Sequence, residues 1–341
     1  MKKILIIRND KLGDFMLAFP SFDLIKRNLP DFKIHALVPS YTCAMAESCK
    51  SIDKIINDPG KDSGWLENIS LLKQLKQENY DAVITLYSTT RIGLITKLAG
   101  IPYRLAPATK LAQVFYNHKL TQHRSRSEKP EYVYNMELIY LFLKQYNIET
   151  IEEPSTPYLK YSNEKVSLLR KAFLQQHNIP ENHKLIFVHA GCGGSANNMS
   201  PQQFSTLAEN LKSQSGHTIV ITAGPGEIDT AKEVSRKLAD TPHIIFDSKE
   251  GIVNFSMHIQ FADLFIAGST GPLHIAGALD TPTVGFYTRR RSATSLRWQT
   301  LNSLSNQLSF SPPREAEEED MSSIDLDMAA KKINQTFLLD N

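Results

Sequence analysis

Gly268-Ser269-Thr270-Gly271-Pro272-Leu273-His274 stands where an apolar run ends and a small-residue helical pattern begins. Two glycines let the backbone turn tightly and come close to a ligand. Ser269 and Thr270 add hydroxyls, and Pro272 suits the first turn of a helix. The free N–H groups and positive dipole end of such a helix form an anion site that fits a diphosphate. The same residues would also make a capped helix after a tight turn and nothing more. The motif by itself leaves both readings open. Two more small-residue loops follow strands in the same half, His189-Ala190-Gly191-Cys192-Gly193-Gly194 and Ala223-Gly224-Pro225-Gly226-Glu227. Three such loops at one sheet edge would line a nucleotide pocket through Gly191 and Gly224, with Glu227 as ribose partner. His189 and His274 read as packing or hydrogen-bonding residues rather than metal ligands. No His or carboxylate cluster has metal-site spacing, so no metal and no cofactor is expected.

The amino-terminal half opens differently. Strand-like Ile4–Ile7 runs into Arg8-Asn9-Asp10-Lys11-Leu12-Gly13-Asp14 and then a helical pattern. The G-x-G-x-x-G of dinucleotide enzymes is absent there, which disfavours a nicotinamide oxidoreductase. Asp14 stands at a helix start. It would act either as an N-cap or, in a cleft mouth, as a base taking the proton of an attacking hydroxyl. Asp10 is a similar surface candidate. Residues 91–127 hold seven basic side chains (Arg91, Lys97, Arg104, Lys110, Lys119, Arg124, Arg126), His118 and His123, and no acidic one. A charge run is commonly a solvated face. An anionic acceptor or an anionic membrane surface would also explain it. Arg104, Arg124 and Arg126 are then the acceptor-binding candidates, because Arg pairs bidentately with carboxylate and phosphate.

A doubly wound fold would position these residues. Ile4–Ile7, Lys33–Val38 and Ala82–Leu86 read as strands, with helices over Asp14–Asn28 and Ile69–Glu78. After residue 150 the pattern restarts. Strands are expected at Leu185–His189, Thr218–Ala223, His243–Phe246, Leu264–Ala267 and Thr283–Phe286. Helices are expected at Lys165–His177, Gln202–Ser213, Ile228–Leu238, Pro272–Leu279 and Ile324–Leu339. Short apolar strands spaced by helices predict parallel sheets covered on both faces. Glu149–Tyr161, with its acids and prolines, reads as a linker. The fold expected is α/β, with Rossmann-like domains over 1–155 and 156–341. Their parallel sheets would face a central cleft, since ligands of open α/β sheets bind at the C-terminal strand ends.

Composition agrees with two globular cores in 341 residues. With 38 basic against 36 acidic residues the net charge is +2, too small for a global field that attracts nucleic acid. Cys43, Cys49 and Cys192 form no close pair, which points to a reducing compartment. Met1-Lys2-Lys3 and Ile4–Ile7 mimic a signal peptide, but the apolar run stops at Arg8. No stretch approaches the roughly 18 apolar residues of a membrane span. The expected location is the cytoplasm, with room for peripheral contact at a membrane surface.

The opening Ile4-Leu5-Ile6-Ile7-Arg8, Lys11-Leu12-Gly13-Asp14 and Pro20 resembles that of family-9 glycosyltransferases, the ADP-heptose transferases of lipopolysaccharide core assembly. Ser269-Thr270-Gly271-Pro272-Leu273-His274-Ile275-Ala276, then Ala278-Leu279 and Pro282-Thr283, resembles their donor motif, and Arg297-Trp298 is shared with some members. The resemblance runs from residue 1 to about 305. It implies a GT-B fold, inversion at the sugar carbon and no required metal. It also implies Asp14 as general base and Thr270, Gly271 and His274 at the diphosphate, with the loops at Gly191 and at Gly224–Glu227 holding the nucleotide; Ser269, beside them, is a further donor-site candidate. Domain 1–155 would bind the acceptor and domain 156–341 the nucleotide sugar. Two departures stand out. Ser269 occupies a position where some members carry Asp. Asn197-Asn198-Met199-Ser200-Pro201 replaces a stretch with Lys before Trp-Pro, and Arg289, Arg290 or Arg291 is the expected substitute for that Lys. The resulting expectation is an inverting transfer of heptose from ADP-heptose to an anionic lipopolysaccharide precursor at the cytoplasmic face of the inner membrane. The missing Lys motivates one alternative, a non-catalytic nucleotide-sugar-binding or scaffold module of cell-envelope glycan assembly.

Overall fold

Four apolar residues between Lys3 and Arg8 form the central strand of the first sheet, β1 (Lys3–Ile7), with Ile4 to Ile7 buried. The computed structural model describes residues 2–109, 111–194, 197–238 and 240–339. Contacts divide the chain into two units, Met1–Tyr158 and Leu159–Asn341.

In the first unit β1 is followed by α1 (Leu12–Met16), α2 (Phe19–Asn28), β2 (Lys33–Pro39), α3 (Cys43–Glu47), β3 (Lys54–Asp58) and α4 (Trp65–Glu78). Then come β4 (Ala82–Thr85), α5 (Thr90–Leu98), β5 (Tyr103–Pro107), β6 (His118–Leu120) and α6 (Glu131–Leu143). The strands are parallel in the order β3-β2-β1-β4-β5-β6. One core layer joins Leu5, Ile7, Leu37 and Val83 to Leu71 and Leu75 of α4 and Ile92 and Ile95 of α5.

The second unit contains α7 (Asn163–Gln176), β7 (Lys184–His189), α8 (Pro201–Glu209), β8 (His217–Ala223), α9 (Ile228–Lys237) and β9 (His243–Asp247). It continues with α10 (Ile252–Gln260), β10 (Leu264–Gly268), α11 (Gly271–Ala278), β11 (Thr283–Phe286), β12 (Gln307–Phe310) and α12 (Leu326–Ile333). Its parallel order is β12-β11-β10-β7-β8-β9. Counted within its own unit, this is the order of the first sheet. Chain direction across the sheet reverses between β1 and β4 in one unit and between β7 and β10 in the other. Such a switch point is where an open α/β sheet leaves room for a ligand.

The expected helix over Asp14–Asn28 is two helices. Pro20 has no N–H to donate and its ring would clash with the carbonyl of residue 16. The first helix therefore stops at Met16, and Pro20 sits in the first turn of α2. The terminal helix begins at Leu326 instead of Ile324 and passes at Asn334 into a wider turn ending at Leu338. Strands β3, β6 and β12 lacked an apolar signal because each lies at a sheet edge and is half solvated. Among the described residues no helix is long and apolar enough to cross a membrane.

Candidate functional site

Leaving β1 at its switch point, Arg8 turns inward and is only 2% exposed. Its Nε donates to Asp10 Oδ1 at 2.8 Å and its Nη2 to Asp14 Oδ1 at 2.6 Å. Nη1 donates to Glu131 Oε1 at 2.7 Å and Asn135 Oδ1 at 3.0 Å. Glu131 and Asn135 are one turn apart at the start of α6 and so share a face. Arg124 Nη1 donates to the same Glu131 oxygen at 2.8 Å and to Leu86 O at 3.0 Å. Burial works against the Arg8 charge, but Asp10, Glu131 and Asp14 outweigh it and hold the guanidinium pKa above its usual value. Burial pushes the Asp10 carboxyl up to about 7; Arg8 opposes this, and the charges of Asp14 and Glu131 reinforce it.

Asp14 lies inside the first turn of α1, after the N-cap Lys11. It is therefore no helix cap, and its carboxylate turns back to Arg8. The remaining basic residues take varied positions. Arg91 Nη2 donates to both Asp58 oxygens, each at 2.6 Å. Arg104, near the start of β5, gives its guanidinium to the carbonyls of Ile101 and Phe115. In a parallel sheet that is the edge away from Asp14. Arg124 joins the Asp14 cluster through Glu131 and lies over the Tyr134 ring at 5.7 Å. Arg126 is 53% exposed and 3.9 Å from Glu128. Lys110 lies outside the described residues.

At the switch point of the second unit the chemistry is of another kind. Thr270 is the N-cap of α11, but its hydroxyl caps nothing. Thr270 Oγ1 and His274 Nδ1, one turn on, are buried with no hydrogen-bond partner among the described residues. Burial pushes the His274 imidazole down to about 4, so it is neutral at pH 7. Trp298 meets it edge-on at 6.4 Å, and the Arg297 guanidinium lies 5.6 Å from the Trp298 ring. Ser269 is half-buried beside Thr270, and Gly271 opens the helix.

The other two loops meet at Glu227. Its Oε1 accepts from the Gly193 N–H at 2.9 Å and its Oε2 from the Gly224 N–H at 3.0 Å. A Cβ on Gly191 would lie 2.2 Å from this carboxylate, so only glycine lets it in. His189 Nε2 is 3.5 Å from Glu227 Oε2 and its Nδ1 is 3.0 Å from Thr222 Oγ1; burial lowers its pKa against the pull of Glu227. Gly191, Gly224 and Glu227 thus form one knot, with the acid tying two loops. In the stretch 197–201, Asn198 donates to Ala190 O at 3.0 Å and crosses Gly268 so closely that a Cβ there would be 2.3 Å away. Arg289 donates to Arg314 O and Ala316 O, while Arg290 is 63% exposed, 3.5 Å from Glu319. Among the described residues no group of three or more His, Cys, Asp or Glu is placed to hold a metal ion.

Sequence reasoning missed the anchoring role of Arg8, Glu131 and Asn135. An arginine closing an apolar strand, with acids two and six residues on, was the available signal for Arg8. Glu131 is 123 residues away and gave none.

The family description "glycosyltransferase family 9 (heptosyltransferase)" matches residues 68–324. A Haemophilus influenzae protein named as a glycosyltransferase is 43% identical over 98% of this chain and 96% of its own. Lipopolysaccharide heptosyltransferase 1 of Campylobacter coli is 25% identical over 84% of this chain and 83% of its own. The solved E. coli ADP-heptose lps heptosyltransferase II superposes with a TM-score of 0.76 at 16% identity, covering 99% and 98% of the two chains. E. coli heptosyltransferase WaaC with ADP gives 0.72 at 18%, covering 98% and 99%. These structures share the α/β GT-B fold of this chain. Family membership also decides against a non-catalytic module: the chain belongs to glycosyltransferase family 9, the heptosyltransferase family, and is a sugar-transferring enzyme.

Proposed function

We propose that this enzyme moves heptose from ADP-heptose to a hydroxyl of an anionic lipopolysaccharide precursor, inverting the sugar carbon. The observation that carries this reading is the buried pair Thr270 Oγ1 and His274 Nδ1 at the start of α11, which has no hydrogen-bond partner among the described residues. A polar atom left unpaired in a core costs about 1–3 kcal/mol, and a bound diphosphate would supply the missing partners. The relatives' names support the donor, since one solved structure carries ADP and another is named for ADP-heptose.

As the sugar–phosphate bond lengthens, negative charge grows on the departing oxygen. The free N–H groups of α11, with Thr270 and His274, stabilise that charge, while Ser269 and Gly271 line its approach. Gly191, Gly224 and Glu227 hold the nucleoside end. Asp14 receives the proton of the acceptor hydroxyl. Unit Met1–Tyr158 binds the acceptor, with Arg124 and Arg126 near its anionic groups; Arg104 supports the start of β5. The protein meets the cytoplasmic face of the inner membrane peripherally, and the basic run 91–127 favours that surface.

A panel of ADP-, UDP- and GDP-sugars read by thermal unfolding tests the donor. At about 100 times its dissociation constant, ADP-heptose should stabilise by roughly 2.7 kcal/mol. A larger shift with UDP- or GDP-sugars would overturn the donor assignment.

A further inference from the structure

Asp10 and Asp14 accept from Nε and Nη2, the two adjacent donors that form one edge of the Arg8 guanidinium. Such an edge ordinarily takes both oxygens of a single carboxylate. Here it takes one oxygen from each of two, so the carboxylates lie side by side. Nη1 is occupied by Glu131 and Asn135, and Glu131 is shared with Arg124. The cluster therefore holds three carboxylates against two guanidinium groups, a surplus of one negative charge. Arg8 is 2% and Glu131 1% exposed, while Asp10 and Asp14 keep 16% and 15% of their side chains exposed, so solvent reaches the pair from one side only and screens the surplus in part. Tyr41 also faces it. The Tyr41 hydroxyl donates to the Asp10 carbonyl, and burial, with Asp10 and Asp14 adding, makes Tyr41 hold its proton more tightly. It adds no positive charge.

A lone aspartate against an arginine is a poor base, because the guanidinium stabilises its ionised form. Two carboxylates held on neighbouring donors of one guanidinium resist being ionised together and bind a first proton strongly. We propose that Asp10 is the positioning partner of Asp14, the two forming a carboxylate pair that receives the acceptor proton as a unit. The inference rests on Asp14 being the base. In the ready state both are ionised. The acceptor O–H bond breaks, and its electron pair forms the new bond to the sugar carbon. The sugar–phosphate C–O bond breaks, with its pair leaving on the diphosphate. The proton settles between Asp10 and Asp14, cancels the surplus charge and passes to water before the next turnover. Glu131, on the other side of Arg8, keeps the guanidinium from neutralising the pair outright.

The test is the pH profile of kcat/KM together with infrared titration of protonated carboxyl groups in the full-length protein. The wild type should lose activity on the acid side with the midpoint at which one carboxyl band appears. Asp10→Asn removes the surplus charge. It should move that acid limb down by about one pH unit or more, abolish the band near neutrality and lower plateau turnover roughly tenfold. A reduced rate with an unmoved limb would make Asp10 merely structural and overturn the proposal. If Asp10→Asn fails to fold, the wild-type spectrum decides, because absence of a carboxyl titrating with activity is equally fatal. Asp14→Asn separates the two claims. Turnover surviving that change removes the base itself, whereas an unmoved limb in Asp10→Asn removes only the pair.

Discussion

The two units share one strand order and use its switch point in opposite ways. Where β1 ends, Nε, Nη1 and Nη2 of Arg8 all find acceptors, and charge is arranged before any substrate arrives. Where β10 ends, two buried polar atoms, Thr270 Oγ1 and His274 Nδ1, have no hydrogen-bond partner among the described residues. The first arrangement suits a group that must hold a proton at a set affinity. The second suits a site completed by its ligand. The same topology can thus be tuned by the residues just past the strand end: a long charged side chain that folds inward, or a glycine-flanked helix start.

Breaking the first arrangement should give the largest effect. Asp14→Asn should lower turnover by roughly two to four orders of magnitude while nucleotide affinity stays nearly unchanged; steady-state kinetics beside ADP titration checks both. Glu131→Leu leaves Arg8 and Arg124 facing each other without their shared counter-charge. It should cost roughly 3–5 kcal/mol in urea unfolding, as removal of one partner from a buried ion pair does.

The second arrangement should respond with the opposite sign. Thr270→Val removes an unpartnered hydroxyl without changing shape. The free protein should become more stable by about 1 kcal/mol, while affinity for ADP falls roughly tenfold. Unfolding curves and calorimetry on one variant read both numbers, and a loss of stability would mean that Thr270 is already satisfied. The smallest effect should come from the exposed Arg126. Arg126→Ser should raise the acceptor KM roughly two- to fivefold and flatten its salt dependence, leaving the donor KM alone. An unchanged acceptor KM would reduce Arg126 to a solvated charge.

Much of this contrast is legible in the residue order alone. The apolar strands β1, β4, β7, β10 and β11 are central and buried on both faces, so their residue types announce them. Edge strands β3, β6 and β12 escaped notice because one side is wet; the edge strand β9 was legible from its apolar run, and the inner strand β5 was not, because Arg104 and Pro107 interrupt it. Helix α6 hid for another reason: its apolar residues run almost without a period, and the polar pair that matters, Glu131 and Asn135, points inward to Arg8. The donor loops were visible because glycines and a helix start are local signals. That Glu227 ties two loops, or that Asn198 crosses Gly268, depends on contacts between segments 34 and 70 residues apart, which no local pattern encodes.

The most direct test of sugar transfer is to incubate the enzyme with ADP-heptose and a lipopolysaccharide precursor and read the product by NMR. The expected result is one ADP released per heptose transferred, an anomeric configuration opposite to that of the donor, and loss of both products in Asp14→Asn. Retained configuration, or ADP release without a new glycosidic bond, would contradict it.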